Sequence, residues 1–138
     1  MKTKVTFRES IKAGLFAALT AALINSVLFT VFYLLGVFRD SIFIKPDQPL
    51  TIVEILFAST FPILIASCVF YLFERYSEYG FHSFRILSLI LLIFSFINPF
   101  IGIEGVTVAY ALVLNSMHVV VVGSLLVFVG RADKKAKA

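Results

Sequence analysis

The chain has a single cysteine, Cys68, so it cannot form an internal disulfide or a redox relay that needs two cysteines. It also has few charged residues. Only 14% are Asp, Glu, Lys or Arg, whereas 60% are hydrophobic. A soluble domain of 138 residues has no core large enough to bury that much apolar surface. The few charged residues argue against a soluble fold, and the single cysteine argues against a disulfide-forming membrane enzyme.

Several kinds of catalytic or cofactor site are missing as well. No lysine lies within a long apolar stretch, which excludes a retinal Schiff base, and the two histidines fall at different depths, which excludes paired haem ligands. There is no glycine-rich phosphate loop, no zinc-ligand cluster and no nucleophile elbow. We therefore predict no cofactor and no metal site, and we favour a function that is not enzymatic.

Four apolar stretches make up most of the chain, at residues 13–35, 50–73, 84–98 and 107–129. About 20 apolar residues in a helix cross the hydrocarbon core of a membrane. The first stretch follows a basic segment, as in a secretory signal, but it is longer than the roughly 7–15 residues of a signal core. The sequence predicts an all-α membrane protein, a single domain over 1–138 in which four transmembrane helices form a bundle.

The cations are distributed unevenly between the two sides of these stretches. If the chain weaves back and forth, ten of the 12 Lys and Arg residues lie on one side. They are Lys2, Lys4, Arg8, Lys12, Arg75, Arg85, Arg131, Lys134, Lys135 and Lys137. Short cation-rich segments stay in the cytoplasm. We predict that both termini are cytoplasmic in the cell (inner or plasma) membrane, and that the cations contact lipid headgroups rather than nucleic acid.

Two capping patterns mark the starts of helices. Thr6 precedes Glu9 by three residues and Thr51 precedes Glu54 by three, so each hydroxyl and carboxylate can bind free backbone amides. The segment 45–50 contains two prolines and predicts a stiff external turn. The capping role is sufficient to explain Glu54, so we keep this residue only as a secondary candidate site residue.

The remaining helix ends are predicted from single residues. Ser83 would cap the third helix, and Pro99 would stop or bend it. Residues 100–103 would then finish the crossing irregularly. The fourth helix would end near Gly130, followed by a mobile charged tail, Arg131–Ala138.

Polar side chains inside a bilayer are costly, so each needs an explanation. Counting from the helix ends places Asn25, Pro62 and His118 near the middle of the membrane, with Asn115 one turn from His118 on the same helix face. Pro62 frees the carbonyl of Ala58 and should bend its helix, with Ser59 beside the gap. We predict a ligand or proton site formed by Asn25, Ser59, Asn115 and His118. The alternative is a set of hydrogen bonds that only holds helices together.

Two further patterns concern packing. Gly14, Ala18 and Ala22 form a stripe of small residues that allows helices to approach closely, within the chain or in a dimer. The 16 Phe residues could line a groove for a lipid, but Phe is also an ordinary lipid-facing residue, and we favour that interpretation.

Several short motifs in the chain carry a resemblance. They are Ala13-Gly14-Leu15 with the alanines that follow, Asn25, Gln48-Pro49-Leu50-Thr51, Ala58-Ser59 leading to Pro62, and Met117-His118. With these motifs the chain resembles a family of small bacterial four-span proteins of unknown function. The resemblance carries no activity. It implies only that Asn25 and His118 are sensible residues to test.

The working function is a membrane protein with a polar pocket at mid-membrane that binds a small or lipid-like ligand or a partner helix. A proton-linked transporter or channel subunit is the alternative, and it would be a homo-oligomer because four helices rarely enclose a pore. A lipid-modifying enzyme ranks third. The expected partners are the lipid bilayer and either a second copy of the chain or another membrane protein.

The cation distribution gives a direct test of topology. In a Cys68→Ser background, a thiol reagent that does not cross the membrane should modify the Asp47→Cys variant in whole cells and spare the Lys135→Cys variant. Labelling in the reverse pattern would contradict the predicted orientation.

Overall fold

The computed structural model describes residues 4–138 and is mostly helical. Lys2, one of the ten cations above, lies outside the described residues. The helices are α1 Phe7–Leu34, α2 Ile52–Tyr76, α3 Gly80–Ser95, α4 Asn98–Gly102 and α5 Val108–Lys137. Between α1 and α2, the short strands β1 Phe43–Lys45 and β2 Gln48–Pro49 pair antiparallel, so a small hairpin occupies much of the predicted external turn.

Four helical segments are long and apolar enough to cross a membrane: α1, α2, α3 together with α4, and α5. Large apolar side chains stay exposed along them. Leu19 and Leu23 of α1 are 62% and 70% exposed, and Phe94 of α3 is 66% exposed. Such a surface is suited to hydrocarbon rather than water. The described chain is therefore a membrane protein with four candidate spans.

The contacts between helices define two ends of the molecule. Lys4 Nζ donates to the Arg75 carbonyl at 3.0 Å, and Lys137 Nζ lies 3.8 Å from a Glu74 carboxylate oxygen. Both ends of the described chain and the α2–α3 turn therefore share one end, called here the termini end. The other is called the hairpin end. α1 and α3 both pack against α2 and α5.

The stripe of small residues on α1 packs within the chain. Its residues are buried, and a Cβ placed on Gly14 would lie 2.6 Å from both Cβ and Oγ of Ser67 on α2. One turn earlier, the hydroxyl of Ser10 donates to the Ser67 carbonyl at 2.5 Å. The absence of a side chain at Gly14 thus allows the close approach of α1 and α2.

Both predicted capping boxes are confirmed. The amides of Thr6 and Thr51 donate to the carboxylates of Glu9 and Glu54 at 2.9 and 3.0 Å, respectively. α2 then continues through Pro62 without a break in the helix. The bend expected at Pro62 stays a prediction.

The predicted start of the third helix is wrong. α3 begins at Gly80 rather than after Ser83, and its N-cap residue Tyr79 makes no side-chain capping bond. The reason is the tight α2–α3 turn, in which a Cβ on Gly80 would lie 2.7 Å from the Cα of Glu74. The close packing of Gly80 against Glu74 therefore determines where α3 begins. A serine cap would have depended only on residues that are neighbours in the sequence.

Two other predicted boundaries also differ from the structure. Residues 100–102 are helical rather than irregular, because Asn98–Gly102 is the short helix α4, with Pro99 in its first turn where a missing amide costs nothing. The fourth long helix does not end near Gly130. α5 continues to Lys137, which forms an ion pair with Asp133 one turn earlier and approaches Glu74 of α2. The charged tail is therefore helical.

The contact at Gly14 predicts a large effect of one added methyl group. Gly14→Ala should destabilise the protein by about 1–3 kcal/mol, because the new Cβ overlaps Ser67. Ser67→Gly in the same chain should recover part of the loss. Thermal unfolding in mild detergent measures both.

Gly123→Ala is the matched control, because nothing lies within 4 Å of a Cβ at this helical glycine. It should keep or raise the melting temperature through helix propensity. Equal losses at Gly14 and Gly123 would contradict the proposed close approach of α1 and α2.

Candidate functional site

Asn25 of α1 is 1% exposed and joins three helices. Its amide nitrogen donates to the Ser59 hydroxyl of α2 at 2.9 Å and lies 3.3 Å from the Met117 carbonyl of α5, which also accepts. Its amide oxygen is buried and has no hydrogen-bond partner among residues 4–138. Asn25 is therefore buried at a contact between three helices, with one acceptor unused.

His118 of α5 is partly buried and is held by its own helix. Its Nδ1 lies 2.9 Å from the Leu114 carbonyl, one turn earlier. A carbonyl can only accept, so Nδ1 carries the hydrogen in this bond. In the neutral ring Nε2 is then an acceptor, and the hydrogen bond of this ring within residues 4–138 is made through Nδ1.

Asn115 is directed elsewhere, although it shares a helix face with His118. Its amide nitrogen donates to the Phe96 carbonyl at 3.2 Å, at the break between α3 and α4. Its amide oxygen is buried without a partner in the part of the chain that the structure describes. Asn115 thus attaches the end of α3 to α5 and does not join the other three candidate residues.

A small cavity of about 60 Å³ brings together Asn25, Ser59 and His118, with apolar side chains forming the rest of its wall. A cavity of this size is large enough to hold water. Of the four residues predicted to form one site, three therefore line a common space and Asn115 does not. Glu54, the secondary candidate, is engaged in the cap of α2.

A much larger groove of about 640 Å³ lies between α2, α3 and α5. It is lined from α2 by Ala58, Phe61, Pro62, Ile63, Ile65, Ala66 and Val69, from α3 by Phe84, Leu87, Ser88, Leu91, Leu92 and Ser95, and from α5 by His118, Val121, Val122 and Leu125. Ala58, His118 and Val121 line both the groove and the small cavity. The small cavity and the groove therefore adjoin each other at these residues.

Sequence reasoning missed Ser88 and Ser95, the two polar residues that α3 contributes to the groove. The signal was their spacing, since Phe84, Ser88, Leu91 and Ser95 recur every three or four residues and form one helix face. Both hydroxyls donate within the helix, Ser88 to the Phe84 carbonyl at 2.9 Å and Ser95 to the Leu92 carbonyl at 2.7 Å.

The site shows no means of holding a metal ion. Among residues 4–138, no group of three His, Cys, Asp or Glu side chains is close enough together to coordinate one. What the arrangement offers is an apolar groove with a few hydrogen-bond acceptors at one end.

Comparison with known proteins gives a family but no activity. No curated protein and no solved structure matches the chain. A model described as "Family of unknown function (DUF6069)" matches residues 5–135. This confirms the resemblance to an uncharacterised family. Because the match extends over nearly the whole sequence, the chain belongs to DUF6069, a family of unknown function.

Proposed function

We propose that this protein is a non-enzymatic membrane protein that binds a lipid-like ligand in the groove between α2, α3 and α5. The observation that carries the proposal is the groove itself. Its volume of about 640 Å³ is within the range of roughly 300–1,000 Å³ typical of small-molecule sites. Its wall is apolar except for Ser88, Ser95 and His118.

The position of the groove favours a ligand that comes from the bilayer. Residues on its rim, such as Ile65 and Leu91, are 51% and 58% exposed on the outer surface of the spans. A lipid-like molecule could enter sideways between helices without passing through water. A polar solute would have to leave water and cross an apolar rim, which is unfavourable.

The hydrogen bonds favour ligand binding over proton transfer through the predicted polar layer. Asn25 is buried and bonded to Ser59 and Met117, as expected of a contact that holds helices together. His118 is bonded to its own helix rather than to Asn25. The ligand-binding role is therefore assigned to the groove and His118, and Asn25 is given a structural role.

We infer further that the termini end faces the cytoplasm. Nine cations of the described chain are carried by segments at that end, whereas Arg39 and Lys45 belong to the loop at the hairpin end. The positive-inside rule supports this orientation, in which the hairpin lies outside.

Native mass spectrometry of the protein released from mild detergent tests the proposed ligand. The wild-type protein should carry a retained lipid-like mass. Ala66→Phe should lose most of it, because the larger side chain would fill the groove. The same spectra report how many copies of the chain associate.

Ala109→Phe is the matched control, because Ala109 is an exposed alanine of α5 that does not line the groove. This variant should retain the bound mass. Melting temperatures of both variants separate loss of ligand from loss of fold. A wild-type protein without a retained mass, or equal retention in the folded Ala66→Phe and Ala109→Phe variants, would contradict the proposal.

A further inference from the structure

We propose that the ligand of this groove is an uncharged lipid alcohol whose hydroxyl group donates a hydrogen bond to Nε2 of His118. This inference rests on the proposed function and adds the chemical class of the ligand. It is drawn from the hydrogen-bonding state of the few polar groups that line the groove.

All three polar side chains of the groove direct their donors back into the protein. The hydroxyls of Ser88 and Ser95 donate to carbonyls of α3, and Nδ1 of His118 donates to a carbonyl of α5. What remains for a ligand is acceptor capacity, in the lone pairs of the two hydroxyl oxygens and of Nε2. The groove therefore complements a hydrogen-bond donor.

A backbone group adds another acceptor at the same end. Pro62 has no amide hydrogen, so the carbonyl of Ala58 lacks its usual helical donor. Ala58, Ser95 and His118 are the lining residues of α2, α3 and α5 that lie closest to the hairpin end. The acceptors thus gather at one end of the groove, and the rest of the wall toward the termini end is apolar except for Ser88.

The depth of this acceptor cluster excludes a charged headgroup. His118 lies about 15 Å along α5 from Val108, which is half of a hydrocarbon core of about 30 Å. Among residues 4–138, no Lys or Arg lines the groove. A phosphate or carboxylate would be buried there without a counter-ion, which is costly.

A ligand with a single hydroxyl group on an apolar body supplies the donor that the groove lacks, and it carries no charge. Its hydrogen satisfies Nε2, and its body lies along the apolar wall from Ala58 to Val69, a distance of about 16 Å. A ketone, ester or ether carries only acceptors and would leave Nε2 unpaired. The site should therefore distinguish an alcohol from the same molecule without its hydroxyl hydrogen.

Photocrosslinking in mild detergent with hexadecanol that carries a diazirine at mid-chain tests this inference. The crosslinks should map to the groove residues of α2, α3 and α5. Unlabelled hexadecanol should compete about fivefold better than hexadecyl methyl ether, which has the same chain but no donor.

Substitutions of His118 distinguish its role as a hydrogen-bond acceptor from a contribution to packing alone. His118→Leu should remove the preference for the alcohol over the ether. His118→Gln should retain a preference, because its side-chain oxygen can accept. His82→Leu is the matched control, because His82 is the other histidine of the chain and is exposed outside the groove. This variant should behave as the wild type.

The outcomes separate the inference from the function on which it rests. Crosslinks in the groove with equal competition by alcohol and ether would overturn the inference that the ligand is an alcohol. The proposal of a lipid-binding groove would still stand. An absence of crosslinks at the groove residues would overturn both. If His118→Leu does not fold, the wild-type comparison of alcohol with ether still decides the inference.

Discussion

A membrane interior provides no water to satisfy polar groups, and this constraint explains most of the side-chain hydrogen bonds in the spans. Ser, Thr and His side chains repeatedly donate to a backbone carbonyl three or four residues earlier in their own helix. The residues that do so are Thr20, Thr30, Thr60, Ser67, Ser88, Ser95, Ser116 and His118. Asn25 and Asn115 instead donate between elements, and each keeps a buried oxygen without a partner among the described residues.

The same constraint gives the groove its chemical character. Donors that are bonded within a helix leave only acceptors facing outward. This is the basis of the proposal that the groove prefers a ligand that donates a hydrogen bond, although no charged residue is among its lining residues. The close packing of α1 on α2 at Gly14 contrasts with the opening between α2, α3 and α5. The chain thus combines a tightly packed side with a side that contains a groove.

The features that could be predicted from the sequence are those governed by local chemistry. Hydropathy located the four spans, and the spacing of Thr6 with Glu9 located a cap, because each depends on neighbouring residues alone. The start of α3 and the end of α5 could not be predicted, since they depend on contacts of Gly80 and Lys137 with Glu74.

The candidate site was predicted only in part, for a related reason. Periodicity placed Asn115 and His118 on one helix face, but it could not show that Asn115 reaches toward Phe96 while His118 lines the groove. The hydroxyl of a serine in a membrane helix can donate to a carbonyl of its own helix. The presence of a serine therefore does not indicate which neighbouring element the residue faces. Ser88 and Ser95 became visible as groove residues only when α2 and α5 were in place.

The most direct test of the acceptor character of the groove is the ¹⁵N spectrum of the His118 ring in lipid bilayers. In a His82→Gln variant, His118 is the only histidine. We expect a protonated Nδ1 bonded to the Leu114 carbonyl and an unprotonated Nε2 that is free to accept. A ring protonated at Nε2, with a bare Nδ1, would contradict the acceptor character of the groove.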